Sequence, residues 1–116
     1  MAESNFINTD EIDKIFGRID RDEKIQTIVD LAKDFVKKRS ELLRLKNEMD
    51  LDNFKLISHS LKSNCRYIGA TALSQCSFTL EKTESFNEDG FDNHWQLFLS
   101  TYNNTMNDIK LSLQEL

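Results

Sequence analysis

The sequence predicts an all-α protein, and three observations carry that expectation. Its 116 residues contain no proline and only three glycines, apolar residues recur at helical spacing along most of the chain, and no stretch alternates with period two for long enough to form a strand. Lys and Arg number 15 against 20 Asp and Glu, a net charge of −5, and 39% of residues are hydrophobic. That supply of apolar residues suits one packed core, so a single domain over residues 1–116 is expected.

Residues 1–7 precede the first start signal and read as a flexible lead. A short first helix follows, capped by Asn8 or Thr9 with Glu11 able to answer Asn8, and with Ile12, Ile15, Phe16 and Ile19 on one face. Asp20 with Glu23 three residues on starts the longest helix. Its stripe is Ile25, Ile28, Val29, Ala32, Phe35, Val36, Leu42 and Leu43, running toward Met49. Asp50 and Asp52 offer caps for a third helix over about 51–68, with the stripe Phe54, Ile57, Leu61, Cys65 and Ile68, and Gly69 placed to end it.

The fourth helix restarts near Thr71, turns Leu73, Cys76, Leu80 and Thr83 inward, and runs out in the polar stretch Asn87-Glu88-Asp89-Gly90. The fifth has Asp92 as a cap and the clearest stripe: Trp95, Phe98, Leu99, Tyr102, Met106, Ile109, Leu113 and Leu116. Connections of a few residues make sequential helices antiparallel neighbours. The expected architecture is an up-down-up-down antiparallel four-helix bundle with an additional short N-terminal helix.

Composition also removes whole classes of function. No apolar run approaches a membrane span, and Met1-Ala2-Glu3-Ser4 opens with an acid where a secretory leader has a basic segment. Net acidity argues against a nucleic-acid partner. Cys65 and Cys76 have neither CxxC nor metal-ligand spacing and read as free thiols in the core of a cytoplasmic protein, with nuclear access if the source is eukaryotic. No metal site is expected. A monomer is the expectation for one domain with short loops, and the Met1 start with a helix reaching Leu116 favours a free-standing protein over an excised domain.

The third helix holds the unusual feature. At about 100° per residue the core stripe stays within roughly 60° of Phe54, whereas His59 falls near roughly 140° and faces away from the core. Lys55, Lys62, Ser63 and Arg66 stand four before and three, four and seven after it, on the same exposed surface. Positive neighbours disfavour a second charge on the ring, which suits a neutral nucleophile, and they suit an anion attached to it. A solvated helix face is the plainer reading of such a group. Leu56 and Tyr67 flank this surface as an apolar docking rim, although packing on an adjacent helix is the commoner fate of such residues.

The run from His59 to Ala70 resembles the signature of the histidine-containing phosphotransfer (HPt) family. The match comprises the histidine, leucine at +2 (Leu61), lysine at +3 (Lys62), glycine at +10 (Gly69) and the downstream pair Leu80-Glu81. It is strongest from Leu56 to Glu81. Ser63 stands where the family pattern has glycine, and Asn64 and Cys65 stand where it has small residues. A small residue at the first of these lets a partner's active site approach the imidazole, so Ser63 bears on transfer rate and partner choice.

The resemblance implies a phosphorelay intermediate and a carrier, with no autonomous kinase activity. His59 would accept a phosphoryl group, through Nε2, from the aspartyl phosphate of a receiver domain and return it to another receiver aspartate. The partners implied are the receiver domains of hybrid histidine kinases and response regulators. Lys62, matching the family lysine, would bear on the phosphoryl oxygens; Arg66 and Lys55 are candidates added from helical geometry. Leu56, Ser63 and Tyr67 form the expected partner-docking surface. The chain itself binds no cofactor in this reading, and Mg2+ comes from the receiver's acidic pocket.

Two other classes stay open. A helical adaptor would bind or sequester receivers without transfer. A helical enzyme with an acid/base histidine is disfavoured, because no carboxylate or second histidine is obviously paired with His59 in the sequence. Other residues read plainly. His94 is a surface residue, and Trp95, Phe98 and Tyr102 are core. The cluster Lys37-Lys38-Arg39 with Arg44 and Lys46 is a solvated face balanced by Glu41 and Glu48, and Glu81 is a surface or salt-bridging residue that the adjacent helix can bring near His59.

Overall fold

The structure, a computed structural model, describes residues 6–116. Five α-helices follow one another: α1 (Asp10–Phe16), α2 (Arg21–Asn47), α3 (Leu51–Cys65), α4 (Thr71–Glu81) and α5 (Phe91–Glu115), with a 3-10 turn over Arg66–Ile68 appended to α3. No strand occurs among the described residues. The all-α expectation therefore holds. No described helix is long and apolar enough to cross a membrane.

The start signals of the two longer central helices act as their residue types dictate. Asp20 Oδ1 accepts the Glu23 N–H at 2.8 Å, and the Asp50 carboxylate takes the Asn53 side-chain amide at 2.8 Å and its N–H at 3.3 Å. Those two bonds, the side-chain amide first, hold the Asp50 carboxyl below the usual carboxylate range. At the other end of α3, Gly69 adopts left-handed backbone (φ 64°), and the Ala70 N–H returns to the Cys65 carbonyl at 3.0 Å. Any side chain at Gly69 would also strike the N-terminal segment, since a Cβ there would lie 2.8 Å from Asn8 Cβ.

One continuous core gathers these helices. α3 packs most extensively on α4 and next on α2, α5 lies on α4 and more lightly on α2, and α1 rests on the 3-10 turn. Phe35, Phe54, Phe91 and Phe98 are the bulkiest fully buried side chains. Each contributes about 1.5–3 kcal/mol by leaving water, before ordering costs.

Several expectations are corrected. On α2, Ile28, Phe35 and Leu42 are buried, but Val36 and Leu43 are exposed and Leu45 takes a core place. The buried trio repeats every seven residues, and positions 36 and 43 stand about 100° off that line. α1 ends at Phe16, so Ile12 is buried while Ile15 and Phe16 lie mostly outside the core. α4 ends at Glu81 instead of running toward Asn87, which leaves a longer connection over 82–90 than expected. Phe86 from that connection re-enters the core, edge-on to Phe54 at 5.1 Å and to Phe91 at 5.3 Å.

Burial of Phe91 also sets the start of α5. The helix begins at that residue, after Gly90 with φ 88°, so Asp92 falls in the first turn and is not the cap. The expected flexible lead lies outside the described residues up to position 5. Its last two residues are described: Ile7 is buried, and the Phe6 N–H donates to Asp108 Oδ2 at 3.1 Å. Next to them the Asn8 N–H donates to the Ile68 carbonyl at 2.8 Å, tying this segment to the end of the histidine helix.

The basic cluster of α2 is less solvated than expected. Arg39 lies over the Tyr102 ring at 5.4 Å and Lys46 over Trp95 at 5.7 Å, so their stems cover the edge of the aromatic core. Cys65 and Cys76 are free thiols. Burial pushes the Cys65 thiol up to about 12, helped by Cys76 and Asp34, which leaves it an inert core residue.

Candidate functional site

The closest helix pair builds the site. Ser58 on α3 and Ser77 on α4 are both fully buried, and each hydroxyl donates to the carbonyl one turn before it, Phe54 and Leu73, at 2.8 Å. Small, internally satisfied side chains on the buried side of both helices permit close approach. Ser74 Oγ adds a tie, donating to the Lys62 carbonyl at 3.4 Å. Helix periodicity alone did not mark these serines as core, because it counts them as polar.

Close approach brings the last residue of α4 onto the exposed face of α3. His59 is 58% exposed, and its Nδ1 lies 2.5 Å from Glu81 Oε1; Lys62 Nζ donates to Glu81 Oε2 at 3.0 Å. One carboxylate thus joins the two residues that the sequence singles out. An acid at a helix C-terminus meets the unfavourable end of the helix dipole. Two donors from the neighbouring helix offset that cost. Burial pushes the Glu81 carboxyl up, but the hydrogen bonds from Lys62 and His59 outweigh it and hold the group below the usual carboxylate range.

An ionised carboxylate only accepts, so the proton of the short contact belongs to His59 Nδ1. In its neutral form the ring then carries its lone pair on Nε2, which no described residue bonds. The surround of His59 is therefore not cationic alone: Glu81, read from the sequence as a surface or salt-bridging residue that the adjacent helix can bring near, compensates Lys62 and pairs with the ring.

The remaining candidates separate into two neighbouring depressions. Lys55 and Leu56 line an open groove of about 450 Å³ with His59, Glu81 and Asp52, and Leu56 is 65% exposed. Ser63 and Arg66 line a second, of about 600 Å³, that Lys62 also borders. Arg66 is therefore not in the His59 groove; it lies over Tyr67 at 5.9 Å. Tyr67 is half-buried and stacked on Phe16 of α1 at 5.6 Å, so packing claims most of that part of the expected docking rim. Ser63 Oγ donates to the His59 carbonyl at 3.1 Å, which turns the hydroxyl back along its own helix.

Phe78 is the residue that the sequence reading missed. It is exposed on α4 near Glu81, and Lys62 Nζ and Lys82 Nζ each lie 4.9 Å from its ring centroid. Its position three residues before Glu81, on the same face, was the available signal. His94 is exposed, as expected. Among the described residues no group of three or more His, Cys, Asp or Glu is arranged to hold a metal. Compared with known proteins, the chain matches no protein-family model, no curated protein and no solved structure.

Proposed function

We propose that the chain is a histidine phosphotransfer protein, a phosphorelay carrier that accepts a phosphoryl group on His59 from a receiver-domain aspartyl phosphate and passes it to another receiver aspartate. The observation that carries this reading is the contact between His59 Nδ1 and Glu81 Oε1 on an exposed ring, with Lys62 on the same carboxylate. The resemblance of residues 56–81 to the HPt family supports it independently. The architecture that belongs to the proposal is an up-down-up-down antiparallel four-helix bundle of α2 to α5, with α1 across one end. A cytoplasmic monomer belongs to it too.

The chemistry follows from the ring. The Nε2 lone pair forms the N–P bond as the P–O bond to the aspartyl group breaks, and that electron pair leaves with the aspartate carboxylate. The Nδ1 proton stays on the ring, and the Glu81 charge offsets the positive charge that the ring gains. Return to a second receiver reverses these movements. A loose transition state spreads charge over three phosphoryl oxygens, so alignment and a nearby cation matter most. Lys62, bonded to the same carboxylate as His59, is the first cation for that role and Lys55, which lines the groove with His59, the second. The Mg2+ of such transfers belongs to the receiver's acidic pocket, and ATP-dependent kinase chemistry is no part of the proposal.

Exposed Leu56, in the His59 groove, and exposed Phe78, against Lys62, favour receiver docking whether or not transfer follows, which keeps the adaptor reading as the competitor. Incubation with a phosphorylated receiver and Mg2+, followed by intact mass and peptide mapping, separates the two. A carrier gains an acid-labile, base-stable adduct that His59→Gln lacks. An adaptor binds the receiver, gains no adduct and keeps its effect in His59→Gln.

A further inference from the structure

Phe78 is 45% exposed, and its ring holds two ammonium groups, Lys62 Nζ and Lys82 Nζ, each 4.9 Å from the centroid. Among the described residues its ring pairs with no other aromatic ring and takes no part in the buried core, so these cation–π contacts are the specific interactions that it makes. Lys62 is the informative partner, because two chemically different groups share it. Glu81 binds the ammonium at 3.0 Å and neutralises it. The aromatic ring attracts the same ammonium through its quadrupole and leaves the full charge in place.

That difference matters when negative charge arrives beside His59. A phosphoryl group on Nε2 competes with Glu81 for Lys62, and the ammonium must exchange one set of oxygens for the other. The Phe78 ring competes with neither anion. We propose that Phe78 is a positioning residue, holding the Lys62 ammonium beside the His59 ring through that exchange, with Lys82 as a second cation on the same ring. The inference rests on the phosphotransfer reading of the site. It predicts that the aromatic character of Phe78, beyond its apolar bulk, governs how fast His59 gains a phosphoryl group.

The test uses the full chain and phosphoramidate, a small donor that needs no partner protein. The His59 Nε2 lone pair forms the new N–P bond, the donor's P–N bond breaks, and its already protonated nitrogen leaves as ammonia with the bonding pair. Rates are read by intact mass. Phe78→Leu keeps an apolar side chain that suits a helix and lacks the quadrupole; it is expected to slow phosphorylation about three- to tenfold, whereas Phe78→Trp stays within about twofold of the parent. In a Lys62→Met background, Phe78→Leu adds no further slowing, because the ammonium that the ring positions beside His59 is already gone.

Thermal unfolding of each variant verifies that the chain still folds. A Phe78→Leu rate equal to the parent's, or the same slowing with and without Lys62, overturns the inference. If the parent chain gains no phosphoryl group on His59 from phosphoramidate or from a phosphorylated receiver, the phosphotransfer reading fails and this inference falls with it. The two failures are thereby distinguishable.

Discussion

Glu81 Oε1 lies 2.5 Å from His59 Nδ1, across the seam between the last turn of α4 and the exposed face of α3. The contact assigns the ring proton to Nδ1 and the lone pair to Nε2. Replacing Glu81 by Ala removes the acceptor, and nitrogen NMR of the His59 ring is expected to move from the Nδ1–H tautomer toward Nε2–H. Transfer from a phosphorylated receiver should slow about tenfold, since a charge-assisted hydrogen bond at a half-open site is worth about 1.5 kcal/mol. An unchanged tautomer would show that Glu81 does not orient the ring.

The depressed carboxyl of Glu81 makes stability depend on pH with a definite sign. Lowered below its unfolded value, it contributes stability above the ordinary carboxylate range, and that contribution is lost as pH falls through its folded value. Asp50, lowered by its bonds from Asn53, acts in the same direction. Urea midpoints measured from about pH 6 to about pH 3 should therefore fall less steeply in Glu81→Gln and in Asp50→Asn than in the parent. Parallel curves would contradict the expectation.

Gly69→Ala tests the junction between the histidine helix and the N-terminal segment. The left-handed backbone alone disfavours a side chain by about 1–2 kcal/mol. The added Cβ would also lie 2.8 Å from Asn8 Cβ and 3.0 Å from the Asn8 backbone N and O. A loss of about 2 kcal/mol or more is expected in urea denaturation, with release of the Asn8 N–H seen as faster amide exchange.

Ser63 stands where the HPt pattern has glycine, but its hydroxyl is turned back to the His59 carbonyl. Ser63→Gly should therefore leave transfer within about twofold of the parent while costing about 0.5 kcal/mol of helix stability. Ser63→Phe, with a side chain too large to fold back in that way, should slow transfer without unfolding the chain. Receiver transfer rates and thermal midpoints check both.

The sequence makes the helices legible because apolar spacing and caps are local. Asp20, Asp50 and Gly69 act at the ends where their residue types place them. Where core membership depends on distant partners, local pattern misleads: Leu45 enters the core in place of Leu43, and Phe86 is drawn from a connection by Phe54 and Phe91. The site divides in the same way. His59 and Lys62 share one face of one helix, which periodicity reveals. Glu81 and Phe78 come from another helix, and their approach depends on the packing of α3 on α4.

Phosphorus and nitrogen NMR of the chain after incubation with a phosphorylated receiver and Mg2+ decides whether His59 carries a phosphoryl group and on which nitrogen. A phosphoryl group bonded to His59 Nε2, a proton retained on Nδ1, and loss of the signal when a second, unphosphorylated receiver is added are expected. A chain that binds the receiver yet shows no phosphorus–nitrogen bond, or carries the group on Nδ1, would contradict the proposed function.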